Sequence, residues 1–259
     1  MQQGEKQTGR RGPGRHRRQP LKAWRAMQNL LKDGEATGEV FKIVEALEGG
    51  AMMNNTERLR ARQGGAGLLA AKPDILEILQ DRDKLRSNPE GSLARAYLDF
   101  VETEDLSADG LMAASMEADR DREYTEDERW FGERLRDTHD LFHVVSGYGR
   151  DGLGEISLLA FSSAQTPNLG IRFIIYMSQR SSRKDKSPVP SKECIREARE
   201  NAARADWFAA QEWESLMPLP LEEVRDRLNI EPPDFYNETK RRFPQETAHA
   251  HDAEKIQAA

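Results

Sequence analysis

Four residues within a stretch of seventeen could together hold a metal ion: His139, Asp140, His143 and Glu155, in the pattern H-D-x-x-H-x11-E. The whole chain has only five histidines, so two of them four apart, beside a carboxylate, is a concentration that asks for a reason. On a helix His139 and His143 stack on one face about 40° apart, and Asp140 lies three residues before His143, so the three heads form a compact triangle. Glu155 follows after eleven residues that include a glycine-rich turn, "GRDGLGE", able to fold the next helix back and bring a carboxylate to the open side of that triangle. Two imidazoles and two carboxylates suit Zn²⁺, Fe²⁺ or Mn²⁺ about equally, so ligand type leaves the metal open. Two histidines and one carboxylate with a free position would resemble the triads that handle dioxygen, whereas four tetrahedral ligands would make a closed zinc site. A histidine pair beside an aspartate is also an ordinary feature of solvated helices, and Glu155 beyond the turn is what lifts this one above that background. The H-E-x-x-H peptidases have Glu where this chain has Asp140, which weakens a peptidase reading. Phosphohydrolases built on a His-Asp pair need a separate upstream histidine, and the one upstream histidine here, His16, sits in a basic arm.

The element that must position the triangle has clear boundary signals. Thr125 followed by Glu128 is a capping-box pattern, acidic residues fill the first turn, and Gly147 and Gly149 supply a stop. Between them the spacing predicts one helix of about six turns, with Phe131, Leu135, Phe142 and Val145 as its apolar stripe and Trp130 and Leu141 flanking it. Measured from Phe131, His139 falls about 80° away, His143 about 120° and Asp140 about 180°, the shoulder of the stripe and the mouth of a groove. Glu155 then opens an apolar helix, "EISLLAFSSA".

Elsewhere the chain reads as helices and tight turns. Leu21, Trp24, Met27, Leu30 and Leu31 recur at helical spacing, a break near Asp33-Gly34 follows, and Val40, Val44 and Leu47 mark a second helix. Ser92 is a suitable cap for a helix carrying Leu93, Tyr97, Leu98 and Val101, and a proline-initiated helix turns Leu221, Val224 and Leu228 inward. "SSRKDKSPVPSKE" reads as a loop, and beyond Pro233 the pattern fades into a polar tail holding His249 and His251.

With 259 residues, 37% hydrophobic, 32% charged and 7% aromatic, the chain is expected to form an all-α structure with a single core. The expected divisions are a disordered basic arm over residues 1–20, a helical domain over 21–233 and a polar tail over 234–259. Cys194 is the only cysteine, which excludes an intramolecular disulfide and a cysteine zinc site and points to a reducing compartment. A net charge of -6 argues against nucleic acid as a partner. The charge is uneven, because residues 1–25 carry eight basic residues against Glu5 alone, a pattern suited to anionic lipid head groups. The most apolar long window, "ISLLAFSSAQTPNLGIRFIIYM", contains Gln165, Pro167, Asn168 and Arg172 and is not expected to span a membrane. No G-x-G-x-x-G or G-K-[ST] motif occurs, so nucleotide folds have no support.

At H-D-x-x-H-x11-E, ending in "LGE", the chain resembles the ubiquinone (coenzyme Q) biosynthesis protein family known as Coq-four. "LLKDGEATGEVFKIVEAL" is similar to the family's N-terminal helices, "PEGSLARAYLDF" to its Pro-x-Gly-Ser-Leu-Gly-x-x-Tyr segment with Ala94 in place of the last glycine, and "WESLMPLPLEEVRDRLNI" to its C-terminal Trp-Glu helix. The resemblance covers about residues 21–233. It implies an all-helical protein peripheral to a membrane, in which His139, Asp140, His143 and Glu155 bind a divalent metal, zinc for the family. The implied reaction is oxidative decarboxylation at ring carbon one of a polyprenylated hydroxybenzoate. Implied partners are the polyprenylated aromatic substrate, the membrane surface and other ubiquinone biosynthesis enzymes, with a homodimer left open. The implied location is the cytoplasmic face of the inner membrane, or the matrix side of the mitochondrial inner membrane in a eukaryote. A prenyl-lipid-binding scaffold that organises the other enzymes without chemistry of its own is the alternative. A prenyl tail needs an apolar groove, for which Ile156, Leu158, Leu159 and Phe161 and the helix from Leu93 to Val101 are candidates, as they are for ordinary core.

Overall fold

A computed structural model of the protein describes residues 17–32, 36–103, 123–244 and 247. The apolar periodicities resolve there into fifteen α-helices and one 3-10 turn at Phe208–Ala210, and the described residues contain no strand. The all-α expectation is therefore met.

Three apolar clusters organise the helices. Helix α1 (Pro20–Leu30) buries Ala23, Ala26 and Met27 against Ile43 and Ala46 of α2 (Thr37–Ala46), and Ile174 and Met177 of a later helix complete that cluster. A second cluster joins Leu59 of α3 (Ala51–Ala61) and Leu68 and Leu69 of α4 (Gly65–Ala71) to Phe131 and Trp207. Short helices α5 (Leu76–Gln80) and α6 (Arg82–Arg86) then lead to α7 (Leu93–Thr103), whose Leu93, Tyr97, Leu98 and Val101 enter the largest cluster. Ser92 caps α7 as expected, its hydroxyl accepting from the Arg95 amide.

The helix that carries the histidines departs from expectation in one respect. It is two helices, α8 (Glu126–Asp137) and α9 (His139–Ser146), with Thr138 between them. The capping box at Thr125 and Glu128 is present, and Gly147 ends α9 in the left-handed region at φ 79°. Thr138 is buried and its hydroxyl donates to the Arg134 carbonyl at 2.7 Å. A threonine hydroxyl that bonds back to the preceding turn bends a helix. Azimuths counted from Phe131 across that bend therefore do not carry over, while the spacing of His139, Asp140 and His143 within α9 does.

Helix α10 (Gly152–Gln165) starts at the Asp151 cap, and α11 (Leu169–Lys184) at Asn168, whose side chain accepts from the Gly170 and Ile171 amides. Among the described residues no helix is long and apolar enough to cross a membrane. The expected loop from residue 181 is shorter than the sequence suggests, since α11 runs to Lys184 and α12 (Ser191–Arg204) begins at Ser191. Short helices α13 (Trp213–Leu216) and α14 (Leu221–Arg227) follow, and the aromatic rings of Phe142, Phe161, Phe208 and Trp213 meet one another at the centre of the largest cluster.

The expected polar tail also begins differently. A further helix, α15 (Asp234–Arg242), packs on α12 and buries Tyr236 and Thr239. Its apolar content is too low for a periodicity reading, but Asp234 in the first turn and Lys240, Arg241 and Arg242 in the last complement the helix dipole. Residues 1–16 of the basic arm, the Asp33-Gly34 break and His249 and His251 lie outside the described residues.

Candidate metal centre

Helix α9 is held at its C-terminal end. Its last carbonyls are bound by Arg225 of α14, whose Nε donates to Val145 O at 3.0 Å and whose Nη2 donates to Val144 O at 2.9 Å. Those are the groups a helix C-terminus leaves without intrahelical partners. His139, Asp140 and His143 offer ligand atoms that all lie within 4.8 Å of one another.

The two imidazoles are oriented differently and to the same effect. The Nδ1 of His143 lies 2.9 Å from the Tyr148 carbonyl, which can only accept, so Nδ1 donates there and Nε2 is the nitrogen turned into the site. His139 has its Nδ1 3.3 Å from Asp140 Oδ1, which leaves its Nε2 as the outward nitrogen. Both Nε2 atoms point toward Glu155, at 3.4 Å from His143 to Oε1 and 4.0 Å from His139 to Oε2. The turn that the glycines promised thus brings the carboxylate to the imidazole pair. Asp140 contributes one oxygen to orienting His139, a role for that residue that pattern and spacing did not separate from ligation.

The His143 ring is fully buried, and its Nε2 has no hydrogen-bond partner. The 3.4 Å approach of Glu155 lacks hydrogen-bond geometry, so a ring nitrogen faces a carboxylate oxygen across a short gap with no hydrogen bond between them. A buried ring nitrogen and a carboxylate so placed are reconciled by a positive charge between them, a proton or a metal cation. His139 and Asp140 beside them add a nitrogen and an oxygen donor, the set that borderline divalent cations take. The residues present therefore fit such an ion.

Charge in the site is correspondingly biased. Burial alone would push the Glu155 carboxyl up, but the attraction of His143, then His139 and Arg150, outweighs it and holds the group at about 2. Asp140 is likewise below the ordinary range, because His139 first and then His143 and Arg150 overcome its burial. Burial would depress His139, yet the Asp140 hydrogen bond and the Glu155 and Asp140 charges raise it.

Three neighbours were not singled out by sequence reasoning. Arg150 sits in the turn with its Nε 3.8 Å from Glu155 Oε1, a cation on the open side of the centre. Phe100 of α7 stacks on His143 with ring centroids 5.7 Å apart, closing the other side. Tyr97, buried, has its hydroxyl pKa raised by desolvation and by Asp140. No motif announces these residues, since Tyr97 and Phe100 arrive by α7 folding over α9 and Arg150 by the folding of the turn. The proposed groove is not where the sequence suggested: Leu158, Phe161, Leu93 and Leu98 are buried against one another in the largest cluster. Close packing has absorbed the surface they would have offered to a tail.

Comparison with known proteins adds a family. The sequence profile described as "Coenzyme Q (ubiquinone) biosynthesis protein Coq4" matches residues 16–234. The chain is similar to the mitochondrial ubiquinone biosynthesis protein COQ4 homolog of Bos taurus, 31% identical over 179 residues, covering 68% of this chain and 65% of that one. It is also similar to the mitochondrial ubiquinone biosynthesis protein coq-4 of Caenorhabditis elegans, 27% identical over 76% of this chain and 80% of the relative. The match spans less than two thirds of the length of the bovine relative. In fold it resembles a crystal structure of a protein from Nostoc punctiforme provisionally named for ubiquinone biosynthesis. That comparison gives a TM-score of 0.58 and 22% identity, covering 82% of this chain and 98% of the other.

Proposed function

The chain belongs to the coenzyme Q (ubiquinone) biosynthesis protein Coq4 family, and from that premise we propose that it is a metal-dependent enzyme of ubiquinone biosynthesis, an oxidative decarboxylase acting at ring carbon one of a polyprenylated hydroxybenzoate. The observation that carries the reading is the buried Nε2 of His143, which has no hydrogen-bond partner and faces Glu155 at 3.4 Å. His139, Asp140, His143 and Glu155 would hold the ion, Zn²⁺ by expectation, with Fe²⁺ or Mn²⁺ compatible with the same donors. When bound, such an ion stabilises the negative charge that develops as carbon dioxide leaves.

The chain's own residues account for the rest. Arg150, partly exposed beside Glu155, offers a fixed cation to the substrate carboxylate. Tyr148 and Asp140 fix the two imidazoles, so that little reorganisation is needed when charge develops. In the reaction the bond between ring carbon and carboxyl carbon breaks, carbon dioxide leaves and one oxygen atom joins the ring as a hydroxyl. With dioxygen as oxidant, two electrons from an external reductant and two protons carry its second atom to water.

A prenylated substrate arrives from a membrane, and one face of the protein suits that source. Leu21, Trp24 and Leu31 in and just beyond α1 and Leu169 and Tyr176 on α11 are large apolar side chains left exposed. Trp24 meets Phe173 at 6.4 Å between ring centroids, which joins the two stripes. Neither helix carries a carboxylate, while Arg25, Lys32, Arg172, Arg180 and Lys184 are exposed around them. Apolar anchors ringed by cations suit an anionic lipid surface. We therefore place the protein peripherally on the inner membrane, on the matrix side if its source is mitochondrial like the relatives named above, beside the other enzymes of the pathway. Vesicles of phosphatidylcholine with phosphatidylglycerol are expected to bind the protein, and the double variant Leu21→Ser, Trp24→Ser to bind about 10-fold less tightly. Equal binding of the variant would remove this face from the account.

The chemistry is tested with carboxyl-labelled polyprenyl-hydroxybenzoate, metal-loaded protein, a reductant and dioxygen. Release of labelled carbon dioxide with a new ring hydroxyl is expected. Tight binding of the prenylated compound with no release would instead favour a scaffold that binds prenyl lipid and gathers the other enzymes.

A further inference from the structure

Three of the four candidate ligands ride on one short helix, so their mutual geometry is built in. Glu155 alone comes from another element, and the reach of its carboxylate depends on how the turn from Gly147 to Asp151 is held. We propose that Tyr236, on α15 and beyond the part of the chain that matches the family, is a positioning residue that sets the approach of Glu155 to the histidines. This rests on the metal-centre reading above.

The hydroxyl of Tyr236 ties both sides of the turn. It accepts from the Gly149 amide at 2.9 Å and donates to Asp151 Oδ2 at 2.6 Å. Asp151 is the N-cap of α10, its Oδ1 accepting from the Gly154 amide at 3.0 Å. A cap fixes the first turn of its helix, and Glu155 stands in that first turn. Lys240, one turn further along α15, reaches the same Asp151 Oδ2 at 2.8 Å. Two donors thus converge on one buried carboxylate oxygen, and the other oxygen remains free to cap.

The ring of Tyr236 supports the second half of the centre. It is buried and packs edge-on against Tyr148 at 5.4 Å between centroids. The carbonyl of Tyr148 is the group that fixes the His143 tautomer. One side chain therefore touches the supports of both His143 and Glu155. The turn packs closely around it, since a Cβ on Gly149 or on Gly154 would lie 2.8 Å from the Tyr236 oxygen. Helix α15 is itself clamped at its start, where Glu197 of α12 accepts from the Phe235 and Tyr236 amides at 2.7 and 3.0 Å. Partners one shell out from a ligand hold its orientation, and losing one costs about 10- to 100-fold in metal affinity.

The test uses full-length protein and Zn²⁺ alone, with affinity measured by competition against a chelator and Co²⁺ absorption reporting the coordination. Tyr236→Phe keeps the ring and removes the hydroxyl. It is expected to weaken Zn²⁺ binding about 10-fold and to change the Co²⁺ spectrum. Thr239→Val, buried on the same helix with its hydroxyl against Cys194 Sγ, is the control for stability alone and is expected to bind Zn²⁺ as the parent does. Should Tyr236→Phe not fold, Lys240→Met, on a half-exposed side chain, is expected to weaken binding in the same direction. If the Tyr236→Phe and Lys240→Met proteins bind Zn²⁺ as tightly as the parent while Glu155→Gln binds more weakly, the positioning role is wrong and the metal centre stands. If Glu155→Gln and His143→Ala also bind as the parent does, the metal-centre reading itself fails.

Discussion

Replacing His143 by alanine is expected to weaken Zn²⁺ binding by at least about 100-fold, more than any loss of a supporting residue would. The substitution removes the one donor that is fully buried, pre-oriented by a carbonyl and without a hydrogen-bond partner. The other histidine cannot take its place, because His139 is itself one of the proposed ligands. The same substitution changes an electrostatic balance in the metal-free protein. Glu155 is held at about 2 chiefly by His143 against the effect of burial. A carboxyl so depressed contributes stability that is present above its unfolded value and lost as pH falls toward about 2. In His143→Ala the depression is smaller, so the metal-free variant is expected to have less of that stability at neutral pH and to lose less of it as pH falls from about 4.5 toward about 2. Chelator competition and acid titration followed by circular dichroism measure the two effects, and unchanged affinity would remove His143 from the centre.

The second large effect belongs to a residue with no side chain. A Cβ on Gly154 would lie 2.0 Å from the Gly149 carbonyl oxygen and 2.7 Å from its carbon. Backbone cannot rotate away as a side chain does, so Gly154→Ala must displace the turn or the start of α10. Forcing extra volume into a close-packed site costs about 3 kcal/mol. For a domain of this size that lowers the melting temperature by about 6–12 °C. Because the displaced segment carries Glu155, the variant is also expected to lose metal affinity. Gly152→Ala, two residues earlier, is the matched control: nothing stands within 4 Å of its Cβ, and helix propensity favours alanine by up to about 1 kcal/mol. Equal melting of the two variants would contradict the close approach of Gly149 and Gly154.

What could be read from residues alone follows from which interactions are local. The capping box at Thr125, the Ser92 cap, the Gly147 stop and the placement of His139, Asp140 and His143 are all decided within a turn or two of helix. Helical spacing and capping chemistry suffice for them. The bend at Thr138 was less legible, because one hydroxyl bonding back to Arg134 overrides a periodicity that runs unbroken through it. Helix α15 was missed since only Tyr236 and Thr239 turn inward from an otherwise polar segment. Its stability comes from α12 and from Asp151, partners remote in sequence. Arg150 and Phe100 entered the site by the same route, through the folding of a turn and of α7 onto α9. The apolar residues after Glu155 illustrate the opposite failing, where a pattern fits two roles and packing has taken them for the core.

The central claim is that His139, His143 and Glu155, with Asp140, form a divalent metal centre. X-ray absorption at the metal edge of the full-length protein, purified without added metal and then loaded with Zn²⁺, tests it most directly. The account predicts a bound ion with two imidazole nitrogens at about 2.0–2.1 Å and carboxylate oxygens at about 2.0–2.2 Å, and loss of an imidazole signal in His143→Ala. An ion bound without imidazole ligands, or a spectrum unchanged by His143→Ala, would contradict it.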